Sequence, residues 1–138
     1  MAASPSPDEE LLGIQGEDDI VLARQKARER SRQLGFGLVD QSRVATAVSE
    51  LTRNIVRYAD NGRGEVRIRT LDAPTGIEIV VSDTGPGIAD IEQAMHAGYT
   101  SGAGLGMGLP GTRRLMDFMH IESALGQGTT IVIRKFRR

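Results

Sequence analysis

A chain of 138 residues is long enough for one domain with a real hydrophobic core. Its 39% hydrophobic and 25% charged content is ordinary for a globular protein, and a formal net charge of -1 gives no bulk electrostatic pull toward nucleic acid or an anionic membrane. Cysteine is absent, which excludes disulfides and thiolate metal sites and suits a reducing cytoplasm; no run approaches a membrane span, and Met1–Glu10 lacks the apolar core of a signal peptide.

Residues 1–9, opening Met-Ala-Ala-Ser-Pro-Ser-Pro, read as a disordered leader, and residues 10–138 as a single domain. Leu11–Gln15 suits an edge strand. Asp18 or Asp19 is a good helix N-cap, and Ile20, Ala23, Ala27 and Leu34 recur at helical spacing, so a first helix is predicted over Ile20–Leu34. Gly35-Phe36-Gly37 ends it. Asp40 caps a second helix, Gln41–Ala59, whose stripe of Val44, Val48, Leu51 and Ile55 faces a core. Asn61-Gly62-Arg63-Gly64 is a turn. In Glu65–Leu71 the apolar Val66 and Ile68 alternate with charged neighbours, predicting a strand with one wet face; Ile77–Ser82 is its successor after a turn at Asp72–Gly76.

Thr84–Ala103 is rich in Gly, Thr and Ser and suggests a mobile lid with a short helix at Asp90–Ala97. Pro110–Met119 is predicted as a third helix, with proline in the first turn where its missing N–H costs nothing. Ile121–Ala124 and Thr129–Phe136 close the chain as a hairpin around Gly126-Gln127-Gly128. The order β-α-α-β-β-lid-α-β-β implies an α+β, two-layer sandwich: helices on one face of a mixed, mostly antiparallel sheet.

Four constellations carry chemistry. Glu50 and Asn54, four residues apart, stand one above the other on the second helix, roughly a quarter to a third of a turn from its apolar stripe, where a cleft wall would be. A carboxylate there can take a proton or orient a hydroxyl, and an amide oxygen is a hard ligand suited to magnesium. Alone this spacing is common, and with Arg53 and Arg57 nearby it also describes a solvated helix flank. Asp83-Thr84-Gly85-Pro86-Gly87 follows an apolar strand. Its carboxylate can accept a hydrogen bond from an exocyclic amine such as adenine's, and Gly85 and Gly87 let the backbone approach a flat ring, although the same residues also make a plain turn.

The third constellation places glycine at 102, 104, 106 and 108 just before the third helix. Glycines at that cost in backbone entropy are hard to justify by packing; a run of free N–H groups feeding a helix start is a ready phosphate cradle, and a flexible hinge is the weaker alternative. Gly106-x-Gly108-x-x-Gly111 spells the dinucleotide fingerprint, but no strand precedes it and no acid stands near Thr130, and there is no Gly-Lys-Ser/Thr of a P-loop. The fourth, Gly126-x-Gly128-Thr129, is explained by a hairpin turn, and any further role depends on the other three. His96 and His120, the two histidines, have no dimerisation helix around them and do not suggest a histidine autokinase; Met107, Met116 and Met119 read as core filler.

In this order and spacing the pieces resemble the GHKL ATPases (DNA gyrase, MutL, heat-shock chaperone ATPases and histidine kinases). Leu34-Gly35-Phe36-Gly37, Asp40-Gln41-Ser42-Arg43, Ser49-Glu50-Leu51-Thr52-Arg53-Asn54-Ile55, Asp83–Ile88 and Gly104–Gly111 narrow the likeness to the RsbT-type switch-protein kinases of bacterial stress signalling, across nearly all of Ile14–Arg138. The resemblance implies a Bergerat-type sandwich, ATP and Mg²⁺ as cofactors, and phosphorylation of a serine or threonine on a STAS-domain antagonist. The kinase would be held by that antagonist, released after phosphorylation, and then activate a phosphatase. On this resemblance Glu50 is the catalytic base or hydroxyl-orienting group and Asn54 holds Mg²⁺. Asp83 reads the adenine amine, with Gly85 and Gly87 permitting its approach. Gly104, Gly106 and Gly108 line the phosphates, and Thr129 supports the adenine site. Arg53 is a candidate for charge at the γ-phosphate, since residues 88–103 contain no Lys or Arg. Two other readings share the pocket: an anti-sigma factor that phosphorylates its antagonist, with a sigma factor as partner, and a binding module that uses nucleotide only as a conformational ligand.

Overall fold

A computed structural model describes residues 8–58, 63–84, 108–124 and 126–138. Among these residues five strands and three helices follow one another as β1 (Glu10–Ile14), α1 (Glu17–Gln33), α2 (Leu38–Tyr58), β2 (Gly64–Leu71), β3 (Gly76–Asp83), α3 (Gly108–Leu115), β4 (Phe118–Ala124) and β5 (Gly128–Phe136). The strands form one sheet in the order β1-β2-β3-β5-β4, and every pairing is antiparallel. The sheet is therefore not mixed. β3 pairs with β5 across the whole of α3 and β4, and the chain reverses direction at each neighbour.

Period two decides which side of the sheet meets the helices. Val66, Ile68, Ile77, Ile79, Val81, Ile131 and Ile133 are buried on one face and join the α2 stripe of Val44, Val48, Leu51 and Ile55 in a single core. α1 lies chiefly against α2 and contributes the small residues Ala23 and Ala27. The opposite face carries the alternate residues. There Glu78, 6% exposed, accepts hydrogen bonds from Arg69 Nε and Arg134 Nε, each at 2.7 Å. Burial pushes the Glu78 carboxyl up, but the two guanidiniums outweigh it and hold it below the usual carboxylate range.

Several ends differ from expectation. Gly16, not Asp18 or Asp19, caps α1, and it offers no side chain. Both aspartates sit in the first turn, where they favour the positive end of the helix dipole, and Asp19 accepts a hydrogen bond from the Gln15 amide. Asp40 lies within the first turn of α2, which starts at Leu38. α3 stops at Leu115 instead of Met119. The Asp117 amide donates to the Arg134 carbonyl, and Phe118 and Met119 pair with Arg134 and Ile133 in β4, so strand pairing overrides the helical pattern there. His120 accordingly stands on a strand, exposed beside Glu122. Met116 is buried and Met119 packs against the core.

The expected lid and its helix at Asp90–Ala97, Met107, His96, the turn residues Asn61 and Gly62, and residues 1–7 of the expected leader lie outside the described residues. Glu9 pairs with Arg67 at 3.3 Å.

Candidate functional site

α2 crosses the helix-facing side of the sheet from end to end. At its start Asp40 lies 3.8 Å from Lys135 near the close of β5. Near its finish Ile55 rests on Gly64, where any Cβ would come within 2.9 Å of the Ile55 side chain. It would meet the Ser82 carbonyl oxygen sooner still, at 2.4 Å, so the neighbouring strand as well as the helix requires glycine at 64.

Gly64 begins a row that runs across four strands. Its Cα partner is Asp83, the partner of Asp83 is Thr129, and that of Thr129 is Ser123. By alternation from Val81 and Ile131, Asp83 and Thr129 share the face that carries the helices. The Ser123 and Thr129 hydroxyls lie 2.8 Å apart, and Ser123 also donates to the Gly128 carbonyl at 3.0 Å. Gly128 takes a φ of +83°, and a Cβ there would collide with the Asp83 carbonyl and come within 2.9 Å of the Thr84 Cα. The hairpin before β5 is thus pressed against the backbone of Asp83, which only glycine allows.

On the helical wall, Glu50 is 8% exposed, and Asn54, one turn on, is half-buried. Arg53 Nη1 donates to Glu50 Oε1 at 3.2 Å. Glu50 is therefore at the edge of the core and not on a solvated flank, while Arg53 does pair with it. The carboxylate is buried and keeps one cationic partner, Arg53. Such a group can orient a hydroxyl without being silenced by water.

Of the residues expected in the site, Glu50, Asn54, Asp83, Thr129 and Gly108 are described. The first two lie on the α2 wall, the next two on the sheet row that α2 reaches at Gly64 and Ile55. Gly108 opens α3 with φ +63°, and its carbonyl accepts from Thr112 Oγ1 at 2.9 Å. Gly85, Gly87, Gly104 and Gly106 lie outside the described residues. Ser123 was not anticipated. Its signal was present in the hairpin: a turn that pairs Ala124 with Gly128 sets Ser123 opposite Thr129.

Among the described residues no cluster of three or more His, Cys, Asp or Glu could hold a metal by itself. No described helix is long and apolar enough to cross a membrane.

Residues 39–138 match the family model described as histidine kinase-, DNA gyrase B- and HSP90-like ATPase. The serine/threonine-protein kinase RsbT of Bacillus subtilis (strain 168) is 45% identical over 133 residues, covering 95% of this chain and 98% of that protein. The anti-sigma F factor of Clostridium novyi (strain NT) is 40% identical over 97 residues, 67% of this chain and 68% of the other. Among solved structures, the RsbU and RsbW domains of Rv1364c from Mycobacterium tuberculosis superpose with a TM-score of 0.64 at 20% identity, over 98% of this chain and 34% of that longer one. The mycobacterial sensor histidine kinase MprB superposes at 0.59 with 22% identity, over 94% and 99%. At these identities the two structures speak for the fold alone, whereas the sequence relatives speak for the kinase: the chain belongs to the histidine kinase-, DNA gyrase B- and HSP90-like ATPase family and, within it, to the RsbT-type serine/threonine-protein kinases.

Proposed function

We propose that this kinase transfers the γ-phosphoryl group of ATP–Mg²⁺ to a serine or threonine on a STAS-domain antagonist in the cytoplasm, and that the released kinase then activates a phosphatase. The observation that supports the reading is an acid and an amide on the α2 wall, next to the point where Ile55 meets Gly64 at the head of the Gly64–Asp83–Thr129–Ser123 row.

The residues suit the cofactor. Asp83 and Thr129 offer an acceptor and a hydroxyl side by side for the amine edge of adenine, and Gly128 keeps that end free of side chain. Magnesium usually takes only one or two protein ligands and completes its shell with phosphates and water. One amide oxygen from Asn54, with no carboxylate cage among the described residues, fits that habit. Bound ATP–Mg²⁺ supplies the phosphoryl group and neutralises its charge. Glu50 aligns the partner's hydroxyl and takes its proton, and Arg53, now on Glu50, is close enough in the chain to share its charge with the phosphates. Gly85 and Gly87 would admit the base, and Gly104, Gly106 and Gly108 would present N–H groups to the phosphates.

The test is incubation of the full chain with γ-labelled ATP and a STAS-domain protein of the same genome. Label on a serine or threonine of that protein is expected; ATP binding without transfer to any STAS domain would favour the nucleotide-gated module instead. The anti-sigma F relatives support a second reading, in which a sigma factor is the released partner. Capture of a sigma factor in place of a phosphatase would decide for it.

A further inference from the structure

The end of α2 remote from the Asp83 row carries a different surface. Leu38 and Val39, in its first turn, are 73% and 64% exposed. With Ser42, Arg43, Thr46 and Leu115 they line an open groove of about 360 Å³. Leu38, Ser42 and Thr46 follow each other at i, i+4 and i+8, so the groove runs along α2 for about 12 Å. Two adjacent exposed apolar side chains at the mouth of a groove give it an apolar side.

Charge indicates what fits it. Arg43 stands in the groove, and Arg113 and Arg114 occupy the last turn of α3 beside Leu115. α3 contains no acidic residue, and neither Arg113 nor Arg114 forms an ion pair among the described residues. Among the described residues two carboxylates stand near the floor, and both are already held: Asp40 by Arg43 at 2.9 Å and by Lys135, Asp117 by Lys135 and Arg138. With Arg43, Arg113, Arg114 and Lys135 against Asp40 and Asp117, the surroundings of the apolar floor are net cationic.

The walls are also fixed in advance. Lys135, 5% exposed, donates to the Leu115 carbonyl at 2.9 Å and lies 3.7 Å from Asp117, so one buried ammonium ties the end of α3 to the start of α2. Gln41 Nε2 donates to the Phe36 carbonyl at 2.8 Å and anchors the chain entering α2. A groove that need not reorganise binds at lower entropic cost.

We propose that this groove docks a short amphipathic helix of a partner protein, apolar on one side and flanked by carboxylates, in the helix-in-groove manner with anchors at i and i+3 or i+4. The occupant touches α2 and α3 together. α3 begins at Gly108, so a docked helix bears on the element that leads out of the glycine stretch.

The probe is a fluorescein-labelled helical peptide with a leucine seam and flanking glutamates, titrated into the full chain by anisotropy, beside the same peptide with lysines for glutamates. The glutamate peptide is expected to bind about tenfold tighter. Leu38→Glu and the double change Arg113→Glu with Arg114→Glu should each weaken it about tenfold or more, with ATP affinity unchanged by calorimetry. Leu38→Glu puts an acid where the helix dipole favours one, and the arginine pair is exposed, so both chains should keep their circular dichroism; if one fails to, the other carries the test. Equal binding of the two peptides, or binding indifferent to both variants, overturns the proposal. So does co-sedimentation with phosphatidylserine vesicles that the arginine variant abolishes while the peptide is ignored, which would make the face a membrane contact. Self-association in sedimentation velocity that Leu38→Glu abolishes, again without peptide binding, would assign the groove to a second copy. A wild type that binds the peptide but transfers no phosphate would sink the kinase reading and leave this one standing.

Discussion

Glu50 is held by Arg53 and shielded by the core, so the role proposed for it rests on aim more than on charge. Glu50→Ala should leave ATP affinity within about threefold while phosphoryl transfer falls at least about a hundredfold, the range general-base removal commonly gives; calorimetry and single-turnover labelling separate the two. On the adenine contact proposed for Asp83, Asp83→Asn removes the charged acceptor and should weaken ATP about tenfold or more by calorimetry. Gly128→Ala combines a strained φ with a clash against Asp83, and should cost about 1–3 kcal/mol in urea unfolding while also weakening ATP. Glu50 and Asn54 were legible because helical period alone places them on one wall. Asp83 and Thr129 were legible only as separate motifs. Their adjacency depends on the register between β3 and β5, and nothing local in either strand encodes it.

Elements show the same division. The α2 stripe could be read residue by residue, and all four of its members are buried. The end of α3 could not, because Phe118 and Met119 keep a helical spacing that only the presence of β5 overrules. The outer face of the sheet holds a ladder of Arg69, Glu78 and Arg134, with Arg134 also 4.8 Å above the Phe118 ring. Because folding lowers the Glu78 pKa, the carboxylate stabilises the sheet at neutral pH, and that contribution fades as pH falls below about 4.5. Glu78→Gln should therefore destabilise by on the order of 1–2 kcal/mol near pH 7, discounted for the partly exposed guanidiniums. In urea titrations across pH, the gap between variant and wild type should close in acid; a gap independent of pH would assign the effect to packing.

At the scale of the whole molecule, α2 works as a strut about 30 Å long, with the Asp83–Thr129 row toward one end and the lysine-braced groove at the other. The two-layer architecture was legible from element order, but the strand order was not. The sequence neighbours β3 and β4 are kept apart by β5, which comes last of the five. This arrangement makes assembly order a property of the sheet. Until residues 128–136 arrive, β3 has one bare edge and β4 has no partner at all, so β1, β2 and β3 can form only half of the platform, and Asp83 waits without Thr129 beside it. Closing so distant a pair is entropically expensive and slow. A chain ended after Gln127 should show no cooperative unfolding transition and no ATP binding by calorimetry, and strand β5 supplied as a separate peptide should restore both in part: the wedge that arrives last locks the middle of the sheet.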